Sequence, residues 1–187
     1  DGAAVIEGLC RLYGISLSAG QKAKLTENIG ADIPFFFYGG TALCEGIGER
    51  VTPLSALPEC WLVITKPRFS LSTSAVFSSP LIAGTYGDDS TNRVMSLLEN
   101  GENAFAVFHD ARNALESASI SLCPSIAVLK ELMLKNGAFF SMMSGSGSSV
   151  YGVFDSHKAA SDAFGRIRAQ FPSTYITKPC PRAVEFI

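Results

Sequence analysis

With 187 residues, 47% of them hydrophobic and 17% charged, the chain has the composition of a folded core. That excludes a disordered segment and leaves room for one large domain or two small ones. A formal net charge of −2 without a basic run argues against nucleic acid as the main partner, and the longest apolar runs are far short of a membrane span.

The five cysteines, Cys10, Cys44, Cys60, Cys123 and Cys180, are widely spread and include no C-x-x-C pair. They read as reduced, buried thiols of a cytoplasmic protein. His109 and His157 fit no metal-ligand spacing, and each reads as a solvated helix residue. There is no N-x-[ST] sequon and no signal peptide. The chain opens on Asp1-Gly2-Ala3-Ala4 without a methionine, so a missing upstream segment is expected.

Val5, Ile6, Leu9, Leu12 and Tyr13 share one helix face over residues 2–13, and Gly14 ends that helix. Ser18 followed by Gln21 is a capping-box pattern that starts a second helix, with Leu25 and Ile29 on its buried side and Gly30 as its stop. Pro34 pushes Ile33 towards extended backbone, and Phe35 to Tyr38 reads as a short buried strand. Thr41–Cys44 and Val51-Thr52 read as a hairpin around Glu45-Gly46-Ile47-Gly48-Glu49. Pro53 to Pro58 is the best internal boundary.

Beyond it, Trp61–Thr65 is a buried strand, Phe69–Phe77 a Ser/Thr-rich loop or short helix, and 78–90 a loop. Ser90 or Thr91 could cap a helix to Leu98, closed by Asn100-Gly101. One further helix is expected over Ala104–Ala118, and another begins at Pro124 and stops at Asn136-Gly137. Ala138–Ser141 and Val150–Phe154 read as strands flanking a small-residue loop. Asp155 or Ser156 caps a last helix, and Ser173–Thr177 returns as a strand. The second part is therefore α+β.

Two stretches carry candidate chemistry. Asp32 stands on a turn where a helix stops, a place suited to a catalytic carboxylate, although aspartate also serves as an ordinary turn residue. Ser144-Gly145-Ser146-Gly147-Ser148-Ser149 could bring backbone amides onto phosphate oxygens, or could simply be a tight turn between strands. It is no P-loop, because no Gly-Lys-[Ser/Thr] occurs in the chain, and Val150 replaces the third glycine of a dinucleotide fingerprint. Phe77 could be core or a stacking platform for a base.

Ile29-Gly30-Ala31-Asp32-Ile33-Pro34-Phe35-Phe36, Gly39-Gly40-Thr41-Ala42, Glu45-Gly46-Ile47-Gly48-Glu49, Thr52-Pro53-Leu54, Thr73-Ser74-Ala75-Val76-Phe77 and Met143-Ser144-Gly145-Ser146-Gly147-Ser148-Ser149-Val150 together resemble the GHMP kinase superfamily. They look most like its branch that phosphorylates a cytidine diphosphate adduct of methylerythritol in non-mevalonate isoprenoid biosynthesis. The similarity in order and spacing runs over almost the whole chain.

The resemblance implies a two-lobed α+β fold, with residues 1–56 the remnant of the amino-terminal lobe and 57–187 the carboxy-terminal lobe. It implies ATP and Mg²⁺ as cofactors, with no metal ligand nameable, and a small-molecule alcohol as substrate. Asp32 would take the proton of the attacking hydroxyl or orient it. Gly145, Ser146, Gly147 and Ser148 would approach the phosphates. Phe77 would stack on cytosine with Thr73 nearby; Ser74 stands where the family often has proline. The family's Gly-Leu-Gly-Gly-Gly-Ser-Ser phosphate loop and catalytic lysine are absent from the sequence. The chain alone is therefore expected to be inactive and prone to self-association. The alternatives are a homoserine- or mevalonate-type kinase and a non-catalytic binding remnant.

Overall fold

The computed structural model describes residues 1–82 and 89–184. The chain divides into two units, Asp1–Leu57 with the described residues from Cys180 on, and Pro58–Pro179. The sequence carries the second lobe through to 187, whereas the last described residues group with the first unit. There the Pro181 carbonyl oxygen lies 2.9 Å from where a Cβ on Gly39 would stand.

In the first unit, α1 (Gly2–Tyr13) ends at Gly14, which takes the left-handed conformation that closes a helix (φ 64°), and the Ile15 amide bonds back to the Cys10 carbonyl. Ser18 and Gln21 cap each other's backbone at the start of α2 (Ala19–Thr26), as the sequence predicts. Lys22 of α2 bonds the Glu7 carboxylate of α1 at 2.7 Å, with both side chains largely shielded. The helix stops at Thr26 and not at Gly30. The Thr26 hydroxyl turns back onto the carbonyls of Lys22 and Ala23, and turns follow.

The expected strand at Phe35–Tyr38 is a single helical turn, α3 (Phe35–Tyr38). Pro34 sits at its N-cap in helical geometry, where proline's missing N–H costs nothing. Four aromatics in a row carry no periodicity that separates strand from helix. The hairpin is present as β1 (Ala42–Glu45) and β2 (Arg50–Pro53), antiparallel, with Leu43 opposite Thr52.

The second unit is built on an antiparallel sheet in the order β4-β5-β3-β6, formed by β3 (Trp61–Thr65), β4 (Phe140–Met143), β5 (Val150–Phe154) and β6 (Thr174–Thr177). Registers of Val63 opposite Gly152 and Met143 opposite Val150 put Val63, Met143, Val150, Gly152 and Phe154 on one face. Helices α8 (Ser125–Lys135) and α9 (His157–Gln170) cover that face and complete a core with Ile126, Leu129, Met133, Ala160, Ala163 and Ile167. Gly152 lets α8 close down, since a Cβ there would stand 3.0 Å from the Met133 Cβ. Tyr151, Phe140 and Phe108 form an aromatic group on the other face. Ser156 caps α9 through the Ala159 amide, as expected.

The remaining elements are α4 (Thr73–Phe77), a 3-10 turn at Pro80–Ile82, α5 (Ser90–Glu99), α6 (Ala104–Asp110) and α7 (Glu116–Leu122). Asp89, not Ser90 or Thr91, is the N-cap of α5. Positions 83–88 of the loop expected over 78–90 lie outside the described residues. The single helix expected over Ala104–Ala118 is two, α6 and α7. Ala111 turns extended (φ −64°, ψ 137°) and ends α6. Among the described residues no single helix is long and apolar enough to cross a membrane. The apolar pair α7 and α8 is bent by 114°, and Ile126, Leu129 and Met133 of α8 are buried in the core.

Candidate active site

The loop Ser144–Ser149 joins β4 to β5. Gly145 and Gly147 both take positive φ, 56° and 85°. At Gly147 a second constraint acts, because a Cβ would stand 2.6 Å from the Met143 sulfur. Within the loop the Ser144 amide donates to the Ser149 carbonyl and the Gly147 amide to the Ser144 carbonyl. Ser148 is buried, and its hydroxyl donates to the Phe69 carbonyl at 2.6 Å, so only its backbone remains for a ligand.

The interrupted helix supplies what sequence reasoning missed. Arg112 closes α6 by donating to the carbonyls of His109 and Ala111 at 2.7 and 2.8 Å. That frees Asn113 to reach the loop, where its side-chain nitrogen donates to the carbonyls of Met143 and Gly145, both at 2.9 Å. Its oxygen accepts the Leu115 amide at 3.0 Å. Ser119 donates to the Ser146 carbonyl at 3.1 Å, and Glu116, paired with Lys130, accepts the Met143 amide at 2.9 Å. Nothing in the local sequence announces these contacts, since the apolar spacing of Phe105, Phe108, Ala111 and Leu115 runs straight through the break.

Thr73 and Phe77 are four residues apart on α4 and so share a face. The Thr73 hydroxyl lies 3.0 Å from that of Ser146, which joins the two candidate groups of the second unit. Phe77, 52% exposed, lines a cavity of about 500 Å³ with Arg112, Asn113, Gly145 and Tyr151. Burial, and then the Glu116 carboxylate, push the Tyr151 phenol up to about 12, which keeps a neutral hydroxyl on that wall.

In the first unit, Asp32 lies exposed in the turns that lead into α3. Its neighbour Ile33 is seated over two glycines: a Cβ on Gly2 or Gly30 would stand 2.9 or 3.3 Å from the Ile33 Cδ1. Gly30 has no positive φ; this close approach is what it provides. A Cβ on Gly48 would stand 3.6 Å from an Asp32 oxygen, which sets the carboxylate beside the β1–β2 turn. Partial burial, and then Asp32, push the Cys44 thiol up. His109 is a solvent-facing helix residue, as expected, and His157, though exposed, rests on the Trp61 ring. Among the described residues no three His, Cys, Asp or Glu side chains gather as a metal cage.

Comparison with known proteins adds three findings. The family model "GHMP kinases C terminal" matches residues 94–173. The 4-diphosphocytidyl-2-C-methyl-D-erythritol kinases of Clostridium novyi and Caldicellulosiruptor saccharolyticus are 38% and 35% identical over 95% and 96% of this chain. The chain spans 63% and 62% of their lengths, under two thirds. A crystal structure of 4-(cytidine 5'-diphospho)-2C-methyl-D-erythritol kinase superposes with a TM-score of 0.75 at 28% identity, covering 94% of this chain and 62% of that one. Homoserine kinase from Cytophaga hutchinsonii superposes at 0.72 with 16% identity, covering 94% and 62%, a likeness of fold. The α+β fold is shared with these solved kinases, and residues 94–173 match the GHMP kinase carboxy-terminal domain.

Proposed function

We propose that this chain works in an ATP-dependent kinase that phosphorylates the 2-hydroxyl of 4-diphosphocytidyl-2-C-methyl-D-erythritol, a step of non-mevalonate isoprenoid biosynthesis. The observation that carries the reading is the 38% identity, across 95% of the chain, to the kinase of that name from Clostridium novyi. Homoserine and mevalonate kinases resemble the chain at 16% and 15% identity, which speaks for the fold and not for the substrate.

In this reading the substrate hydroxyl attacks the γ-phosphorus of ATP, the bond to the bridging oxygen breaks, and ADP leaves. Asp32 accepts the hydroxyl proton or orients it; its exposed carboxylate is open to a ligand. The backbone of Gly145, Ser146, Gly147 and Ser148 approaches the phosphates, with the amides of Gly145 and Ser146 open to donate to phosphate oxygens while that of Gly147 is held by the Ser144 carbonyl. Phe77 stacks on the cytosine ring, with Thr73 beside it. Mg²⁺ arrives with the nucleotide and neutralises charge on its phosphates. Self-association is part of the proposal, supported by Val5, Leu9, Leu12 and Tyr13 standing exposed on α1, and sedimentation checks it.

The test is ADP release by the product of the complete open reading frame, offered the cytidine substrate and a panel of other alcohols. Turnover confined to the cytidine substrate supports the assignment. Turnover on another alcohol replaces the substrate, and none at all favours a non-catalytic binding protein.

A further inference from the structure

The loop Ser144–Ser149 is asymmetric in how its polar groups are used. The carbonyls of Met143 and Gly145 accept from Asn113, and that of Ser146 from Ser119. Those of Ser144 and Ser149 accept from amides within the loop. Among the described residues, no hydrogen bond uses the amides of Gly145 or Ser146. An ordinary tight turn between strands has no need of this, because its outer carbonyls are satisfied by water. The effect is local: at Gly145 and Ser146 the carbonyls are tied back while the N–H groups stay free, whereas the carbonyls of Gly147 and Ser148 accept no hydrogen bond among the described residues. Free N–H groups beside tied-back carbonyls are the requirement for holding an anion.

Two features show that position 113 matters for its donors and not merely for its bulk. One side chain serves two carbonyls while its own oxygen is taken by the Leu115 amide, so the orientation of the carboxamide is fixed. An aspartate of the same shape would set carboxylate oxygens against those two carbonyls and add a negative charge beside the loop. The nearby Glu116 does not do so, because its oxygens are taken up by the Met143 amide and by Lys130.

We infer that Asn113, supported by Ser119, is a positioning residue for nucleotide binding: together they tie back the carbonyls of Met143, Gly145 and Ser146 so that the free amides of Gly145 and Ser146 face the phosphates of ATP. This rests on the phosphoryl-transfer reading above. Asn113 touches no reacting atom. It acts through the loop, so its removal weakens the hold on ATP and leaves the hold on the alcohol alone.

The test uses the product of the complete open reading frame with Asn113→Asp and Asn113→Ala, measuring KM for ATP, KM for the alcohol and kcat. The expected result is a rise in KM for ATP of tenfold or more in Asn113→Asp and a smaller rise in Asn113→Ala. KM for the alcohol should stay within twofold in both. A role limited to stability would lower the melting temperature and the active fraction, hence kcat, and would leave both KM values in place. An unmoved KM for ATP, or equal rises in the two KM values, overturns the inference while the kinase reading stands. A parent enzyme without ATP-dependent turnover on any alcohol brings down both. Should the Asn113 variants fail to fold, Ser119→Ala takes their place. It removes one of the three ties, and an ATP KM within a factor of 1.5 of the parent would overturn the inference.

Discussion

The hydroxyls of Thr73 and Ser146 lie 3.0 Å apart across 73 residues of sequence. One belongs to the helix that presents Phe77, the other to the loop whose Gly145 and Ser146 amides are free. Whatever binds along this edge of the second unit therefore meets an aromatic face and a set of N–H donors held at a fixed spacing. A nucleoside diphosphate derivative has that same pairing of groups.

Replacing Phe77 tests the aromatic end. The ring is 52% exposed, so Phe77→Ala should change the denaturation midpoint little. Base–aromatic stacking is worth about 1–3 kcal/mol, so KM for the cytidine substrate should rise roughly 5- to 150-fold. Titration of substrate into both proteins checks this, and an unchanged affinity would leave Phe77 as a surface residue.

Asp32→Asn should reduce turnover by about 100-fold or more with a small effect on KM, as expected for a group used in proton transfer. The same variant has a readout independent of activity. Partial burial, and then Asp32, hold the Cys44 thiol up, and thiolate is the form that alkylates. Removing the charge should speed alkylation of Cys44 by iodoacetamide near pH 8, followed by peptide mass spectrometry. An unchanged rate would mean that the two side chains do not sense each other.

Gly147→Ala meets both a positive φ of 85° and the Met143 sulfur at 2.6 Å. The expected cost is about 1–3 kcal/mol of stability, read from urea unfolding. A variant as stable as the parent would show that loop and sulfur can move apart.

Tyr151 gives a pH prediction. Its phenol is pushed from 10 to about 12 by burial and by Glu116, so the folded state favours the neutral form. The associated stability is present below pH 10 and is lost as pH rises through about 12. Two units correspond to on the order of 2–3 kcal/mol. Tyr151→Phe should flatten the fall in unfolding free energy between pH 10 and 12 by that amount. Parallel profiles for the two proteins would refute it.

Elements whose causes are local were readable from the sequence. Gly14 closes α1, the Ser18–Gln21 box opens α2, Ser156 opens α9, and the buried strand Trp61–Thr65 follows from its unbroken apolar run. The candidate phosphate loop and Phe77 stood out as candidates by residue type, whereas Thr73 entered only through the family resemblance. The break between α6 and α7 was not. It depends on Arg112 and Asn113 finding carbonyl partners, and for Asn113 those lie some thirty residues downstream, at Met143 and Gly145. Periodicity sees only the apolar stripe, which is continuous there. The aromatic run at Phe35 failed for a different reason, since four such residues are too few to express a period.

Among the described residues, no hydrogen bond or ion pair holds the Asp32 side chain. Its address is inherited from Ile33, whose side chain is parked on two residues that contribute only emptiness, Gly2 and Gly30. A methyl group added at Gly2, on a helix remote in sequence from the turn, would meet the Ile33 Cδ1 and force the tip of that side chain to turn aside. Substitutions at Gly2 would thus press on the seat of Ile33, beside the carboxylate, without touching a ligand. They would be silent about chemistry and informative about where the chain keeps its coordinates.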